Sequence, residues 1–227
     1  MILKALYDYY HRSGDDVAPF GLEYKEIGFI IVIDRCGKFL RFEDRRIDKK
    51  SAQQFLVKKS VSRSSAPVAN YLYDNCKYVF GYSDKGDMEK IRKYFEVFKA
   101  KVKDIYDAFA RIMRTIKAVY AFYQQDPSFI VGAMQKDSLW DDIAKNLNKK
   151  YSTFSFLIEG GYEKLVASKT ELINLFEENH GVVGNLCLIT GRYSKVVEIT
   201  TATKILGSQE TAKLVAFQVN SGYDSYG

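Results

Sequence analysis

Seven cations and only one acid, Asp48, lie between positions 45 and 63. Lysine and arginine side chains, together with hydroxyl groups, are the groups that hold phosphate oxygens in nucleic-acid complexes. The pattern therefore predicts a phosphate-binding surface. A solvated loop is the alternative interpretation. The candidate phosphate ligands are Lys58, Lys59, Arg63, Ser64 and Ser65.

An amide side chain, Asn70, follows the basic run and stands beside Tyr71 and Tyr73. An amide carries both a donor and an acceptor, the pair of groups that recognises a base edge in a groove of DNA. Asn70 is thus the candidate for base recognition. The two tyrosines would either stack on bases or pack into the core.

No combination of residues typical of catalysis is present in the sequence. The two histidines, His11 and His180, do not have metal-ligand spacing, and a cysteine–histidine pair cannot be argued from such separated residues. Gly160 and Gly161 lack the lysine and hydroxyl that accompany a nucleotide-binding loop. We expect a protein that is not an enzyme and needs no metal or cofactor. Catalysis by scattered acids is the remaining alternative.

Bulk properties agree with a polyanion partner. The net charge is +6 and the isoelectric point is about 9.0. Cys36, Cys76 and Cys187 are odd in number and far apart, which predicts reduced thiols and a cytoplasmic location. The start of the chain is not a signal peptide, and no apolar run is long enough to span a membrane.

The elements that must position these residues begin with a helix over 2–11. A run that is apolar on both faces, 27–33, predicts a central buried strand. A turn at 34–37 and a returning strand at 38–43 complete a hairpin. A third strand is predicted at 54–58, directly before the candidate phosphate ligands.

A helical pattern then extends from Asp87 to Tyr123, where apolar residues recur in steps of three and four. A single helix of this length would reach roughly 50 Å. It would lie across the core or, alternatively, form a two-chain coiled coil. Pro127 is expected to end it, and another helix is predicted over 138–149.

The last third of the chain is predicted to be richer in strands. Ser168 with Glu171 forms a capping box for a helix that ends near His180 and Gly181. Predicted strands lie at 151–158, 162–166, 186–189, 196–199 and 213–219. The fold class is α+β, with mixed or antiparallel strands at both ends of the chain, a long central helix and shorter helices. We expect one domain over 1–227, with possible sub-parts 1–84 (β-rich), 85–150 (helical) and 151–227 (β-rich).

Three segments together resemble one protein family. They are MILKALYDYYHR, followed by Pro19 and Gly21; VKKSVSRSSAPVANYLYDNCKYVFG; and CLITGRYSKVVEITTATKILGSQETAKLVAFQVNSGYDSYG. In order and approximate spacing they resemble the large subunit of the type I-C (Dvulg subtype) CRISPR surveillance complex, Cascade. Members of that family are much longer, so the resemblance implies the N-terminal part of such a subunit.

The resemblance implies DNA recognition without catalysis. Such a domain checks the protospacer-adjacent motif in duplex DNA, while base pairing to the RNA reads the target sequence. The implied partners are double-stranded target DNA, CRISPR RNA, other Cascade subunits and a recruited helicase–nuclease, with no membrane. The alternative function is a scaffold that docks neighbouring subunits and the RNA 5′ handle and binds nucleic acid only non-specifically.

The family pattern also distributes roles over individual residues. It supports Asn70 as the base-reading candidate and adds Gln209 as a residue that could reach a groove. Asp74, Asn75, Tyr78 and Gly81 match the family as well, and we interpret them as structural. The sequence departs from the family at three positions: Ala66 and Ala69, where Gly and Pro are common, and Glu210, where a small hydroxyl is usual.

Overall fold

The computed structural model describes residues 2–12, 14, 17–19, 21–61, 63, 66–83, 86–149, 151–160, 164–173, 185–187, 191 and 193–194. The fold is α+β, as predicted. The chain divides into two compact units. One comprises Met1–Val17 with Asn179–Gly227, and the other is Ala18–Glu178, here called the central unit.

The terminal unit contains helix α1, Ile2–Arg12, which confirms the predicted first helix. His11 is exposed on it. A pair of two-residue antiparallel strands, Asn185–Leu186 and Tyr193–Ser194, is also described. The strands predicted at 196–199 and 213–219, the helix end at His180 and Gly181, and Gln209 lie outside the described residues.

Two strands of the central unit form a small antiparallel ladder. Strand β1, Leu22–Glu26, pairs with β4, Gln54–Lys58, and Leu22 lies opposite Lys58. Strand β4 has the predicted bounds, whereas β1 was not predicted. The ladder continues one step beyond β4, because Lys59 N donates a hydrogen bond of 2.8 Å to Gly21 O.

A four-stranded sheet forms the centre of this unit. Its strands are β2 (Phe29–Ile33), β3 (Phe39–Asp44), β5 (Tyr73–Asn75) and β6 (Thr153–Ile158), in the order β3-β2-β6-β5. Strand β2 is antiparallel to β3 and parallel to β6. All five β2 residues are buried, which confirms both the central strand and its hairpin with β3.

Helices cover the sheet. After α2 (Cys76–Val79), helix α3 runs over Met88–Phe109 and is capped by the Asp87 side chain, which accepts from Glu89 N and Lys90 N. Most of the predicted apolar seam of α3 is buried against this chain's own core, although Met88 at its start is 67% exposed. This burial argues against the coiled-coil alternative. The buried seam residues are Ile91, Phe95, Phe98, Val102 and Ile105.

The single helix predicted over 87–123 is wrong: the chain reverses after Phe109 and α4 is a separate helix, Arg114–Phe122. Phe109 O accepts from both Ile112 N and Met113 N, and Met113 is extended (φ −120°). The reversal brings Phe122 to 5.4 Å from the Phe156 ring of β6. Burial of the apolar side of α4 on the sheet thus outweighs continuation of the helix.

Pro127 was predicted to end the helix that precedes it, and this prediction is wrong. It opens helix α5, Pro127–Met134, behind the N-cap Asp126, a position where its missing N–H costs nothing. Helix α6, Trp140–Asn146, lies within the predicted 138–149.

The prediction of a strand at 162–166 is wrong over 164–166, and residues 162 and 163 lie outside the described residues; the predicted cap at Ser168 is also wrong. Val166 is fully buried in a 3₁₀ turn, Val166–Ser168. The helical turn at 170–173 begins one residue later than predicted, because Leu172 N and Ile173 N donate to Lys169 O. None of the helices in the described part of the chain is both long and apolar enough to cross a bilayer.

Candidate nucleic-acid interface

The segment 58–71 connects β4 to the region before β5 and carries most of the predicted binding residues; we call it the basic loop. Its first residues are held by polar contacts. Ser60 N donates to Glu23 Oε1 at 3.0 Å, and the Tyr73 hydroxyl donates to Lys58 O at 2.6 Å. Because both partners lie on strands, the loop leaves β4 in a defined direction.

A buried carboxylate, Asp74, organises the far end of the loop. Asp74 is 2% exposed and accepts hydrogen bonds from Asn70 N (3.0 Å), Asn75 N (2.9 Å) and the Arg63 guanidinium. Burial raises the pKa of Asp74 above its ordinary value, and the positive charge of Arg63 and the two backbone donors oppose that rise. The sequence analysis treated Asp74 as structural, and this position agrees.

Arg63 contacts the loop itself. Its Nε donates to Val68 O at 2.8 Å, its Nη2 donates to Asp74, and its guanidinium lies 4.2 Å from the centre of the Tyr78 ring. Tyr78 in turn stacks on Tyr94 at 4.8 Å. The structure therefore gives Arg63 a bracing role. Phosphate binding by Arg63 stays a prediction.

Asn70 is also part of the bracing. It is 7% exposed, and its Oδ1 accepts a hydrogen bond of 2.9 Å from Val61 N, which closes the loop on itself. An amide oxygen has two lone pairs, so one acceptor position remains after this contact. Base recognition by Asn70 stays a prediction.

The two lysines at the start of the loop have different surroundings. Lys59 is exposed, and within the described part of the chain it forms no ion pair with a carboxylate. Lys58 Nζ lies 3.8 Å from the centre of the Tyr71 ring. Both are placed at the surface end of β4. Ser64 and Ser65 lie outside the described residues, as does Gln209.

Not every cation of the basic run contributes free positive charge. Arg45 pairs with Glu43 at 2.6 Å, and Arg46 pairs with Asp44 and with Asp142. Hydrogen bonding to Arg46 lowers the pKa of Asp44, and the same contact raises that of the guanidinium. These carboxylates lie outside the run from 45 to 63, so the charge pattern of the run does not predict the pairing.

One further cation reaches the loop from a distant part of the sequence. Lys101, on α3, places its Nζ 5.2 Å from the centre of the same Tyr71 ring. The contact of α3 with the loop could not be predicted from the sequence, because helical periodicity predicts which face is apolar but not which loop the polar face approaches. Among the described residues, no group of three or more His, Cys, Asp or Glu side chains could hold a metal ion.

The fold and the site together define an α+β protein with a braced, lysine-bearing surface loop. The family of CRISPR-associated proteins described as Cas_Csd1 matches residues 6–227. The chain therefore belongs to this family of CRISPR-associated proteins. Among curated protein sequences, none matches the chain.

Proposed function

We propose that this chain is the N-terminal part of the large subunit of a type I-C (Dvulg) CRISPR surveillance complex, and that its basic loop contacts duplex DNA and reads the protospacer-adjacent motif. One observation carries the proposal. The loop is held by a partly buried polar contact at Glu23 and a buried one at Asp74, while Lys59 projects from it with no carboxylate partner in the described residues.

A braced loop suits recognition because its ordering entropy is lost on folding and not on binding. The exposed lysine would supply phosphate attraction that is independent of sequence. Ser64 and Ser65 would add hydroxyl donors to the same phosphates, and Gln209 would make a secondary groove contact.

Asn70 would recognise the base edge. In the free protein its amide oxygen accepts from Val61 N, and little of its side chain is exposed. We propose that DNA docking turns this amide toward the groove, while the contacts of Asp74 with Asn70 N and Arg63 keep the loop in place. Recognition would then require breaking one hydrogen bond, which costs about 1 kcal/mol.

The proposed role is not enzymatic. The domain would act with CRISPR RNA and the other Cascade subunits, and a recruited helicase–nuclease would cut the target. This division of labour follows the general logic of RNA-guided recognition, in which the protein reads a short adjacent motif and base pairing reads the rest.

A second candidate function is a scaffold that docks neighbouring subunits. An exposed apolar surface favours it: Phe129 of α5 is 64% exposed and Leu40 of β3 is 40% exposed, and both line one groove. In that case DNA contact would be electrostatic and without motif preference.

A binding titration separates the two functions. The protein is titrated with duplexes whose candidate motif positions are randomised, at two salt concentrations. Lys59→Ala should weaken binding to all duplexes and lower the salt slope by about one unit. Asn70→Ala should remove motif preference and leave non-specific binding. Lys93→Ala, an exposed lysine of α3 paired with Glu89, is the matched charge control.

Two results would contradict base recognition by this loop. One is that the wild-type protein binds all motifs with equal affinity. The other is that Asn70→Ala lowers the affinity for every duplex by the same factor. Salt-insensitive binding to a partner subunit, without motif preference on DNA, would favour the scaffold.

A further inference from the structure

Two lysines from separate elements meet at one tyrosine ring. Lys58 belongs to β4 and Lys101 to α3, and their ammonium nitrogens lie 3.8 Å and 5.2 Å from the centre of the Tyr71 ring. Tyr71 is half-buried and packs against the hydrophobic core, so the ring is a fixed contact point for both lysines. We call this group the Tyr71 cluster.

The cluster concentrates positive charge. The distances to the common ring place the two ammonium groups within about 9 Å of each other, which is within a Debye length at moderate salt, so their repulsion is incompletely screened. The ring face offsets part of this repulsion through cation–π attraction. Asp104 lies 3.9 Å from Lys101 Nζ, but its side chain is 71% exposed, so that ion pair is weak.

The ring also restricts the lysines before any ligand binds. A free lysine side chain carries about 2 kcal/mol of rotamer entropy, part of which is lost when its ammonium group is fixed on a ligand. Contact with Tyr71 reduces this loss, because both stems are already directed to one place. An anion that contacts both ammonium groups would relieve their repulsion at a lower entropic cost.

From this geometry we propose that the Tyr71 cluster is a phosphate-binding site for a polynucleotide backbone. Lys58 and Tyr71 belong to the basic loop and Lys101 to α3, so the site would extend the basic loop's surface to α3. The phosphodiester would lie against Lys58 and Lys101, with Tyr71 as a positioning residue. The identity of the ligand rests on the proposed function, whereas the convergence of the two lysines does not.

The test is duplex DNA binding by the purified protein at 50 and 200 mM salt. Lys101→Gln removes one charge of the cluster. Lys103→Gln is its control: it removes the same charge from α3 two residues away, where the side chain is exposed and paired with Asp107. We expect Lys101→Gln to lower affinity about 3–10-fold and the salt slope by about 0.9, and Lys103→Gln to change neither appreciably.

Tyr71 variants test positioning without a change of charge. Tyr71→Phe keeps the ring and should keep wild-type affinity. Tyr71→Leu removes the ring and should weaken DNA binding while the salt slope stays near that of the wild type. Circular dichroism checks that the variants fold. If Tyr71→Leu does not fold, Lys101→Gln, which lies on the polar side of α3, tests the proposal instead.

The outcomes for the cluster and for the proposed function are distinguishable. If Lys59→Ala weakens DNA binding but Lys101→Gln behaves like Lys103→Gln, the cluster is not a phosphate site and the proposed function stands. If the wild-type protein binds no duplex at either salt concentration, both proposals are overturned.

Discussion

Removal of the Asp74 carboxylate is the perturbation whose consequences the structure defines best. Asp74 is 2% exposed, and Asp74→Ala would leave Asn70 N, Asn75 N and the Arg63 guanidinium without this acceptor. A buried donor left without its acceptor costs about 1–3 kcal/mol, and here two backbone donors and a partly exposed guanidinium lose theirs together. We expect Asp74→Ala to lower the free energy of unfolding by about 3–5 kcal/mol.

Arg63→Ala should cost less. The Arg63 side chain is 31% exposed, so water can partly replace its contacts, and the Asp74 carboxylate keeps its two backbone donors. A hydrogen bond to a charged group contributes about 1.5–3 kcal/mol, and we expect a loss of about 2 kcal/mol. The two residues share partners, so the double variant should cost less than the two single losses together, by about 1–3 kcal/mol.

The assay is urea unfolding followed by the fluorescence of Trp140, the one tryptophan of the chain. Trp140 is buried in the central unit against Phe80 and Tyr82, so its emission reports on this unit. Lys103 and Asp107 provide the control cycle, because they form an exposed i,i+4 pair whose coupling should be much smaller.

A coupling below about 0.5 kcal/mol between positions 63 and 74 would refute the bracing role of Arg63. Arg63 would then be available to bind phosphate, as the sequence analysis predicts. A large coupling energy between positions 63 and 74, with DNA affinity falling in proportion to stability, would show that Arg63 stabilises the loop. The lysines would then be the residues that contact phosphate.

Two further predictions concern the close packing of Gly37 against α4 and the pH dependence of the Asp44–Arg46 ion pair. Gly37 has φ +84°, and an added Cβ would lie 2.4 Å from Phe122 N of α4, so Gly37→Ala should cost about 2–5 kcal/mol. Gly132→Ala in α5 meets no atom within 4 Å and should be neutral or stabilising; equal effects of the two in thermal unfolding would contradict this packing. Hydrogen bonding to Arg46 lowers the pKa of Asp44, so this contact stabilises the fold above the unfolded pKa of about 3.9 and is lost as pH falls through the lower folded pKa. Asp44→Asn should therefore destabilise at pH 7 and have little effect near pH 2, and a pH-independent difference would exclude the linkage.

Local sequence patterns were sufficient to predict the elements that are buried on both faces or whose apolar residues recur with a strict period. The run at 29–33 is apolar at every position, and only a central strand buries all of it. The α3 seam and strand β6 followed equally from their periods. Strand β1 escaped prediction because its sequence, LEYKE, is mostly polar and is a strand only through its ladder with β4.

The break between α3 and α4 shows where periodicity fails. The three- and four-residue spacing continues through 110–113, so nothing local distinguishes one long helix from two. Two long-range contacts favour the reversal: Tyr106 stacks on Tyr120 at 4.1 Å, and the Tyr123 hydroxyl donates to Val79 O at 2.6 Å. Both depend on residues that are distant in sequence.

The sequence by itself determined the α+β class, the position of the basic loop after β4 and the types of side chain available to bind phosphate. Only the tertiary structure decided which of those side chains remain free. It pairs Arg46 with Asp142, directs Arg63 to Asp74, buries Asn70 and brings Lys101 to Tyr71. The reason is physical: charge and hydrogen-bonding capacity belong to each residue, but partners are chosen by distance in space, which depends on how the whole chain packs.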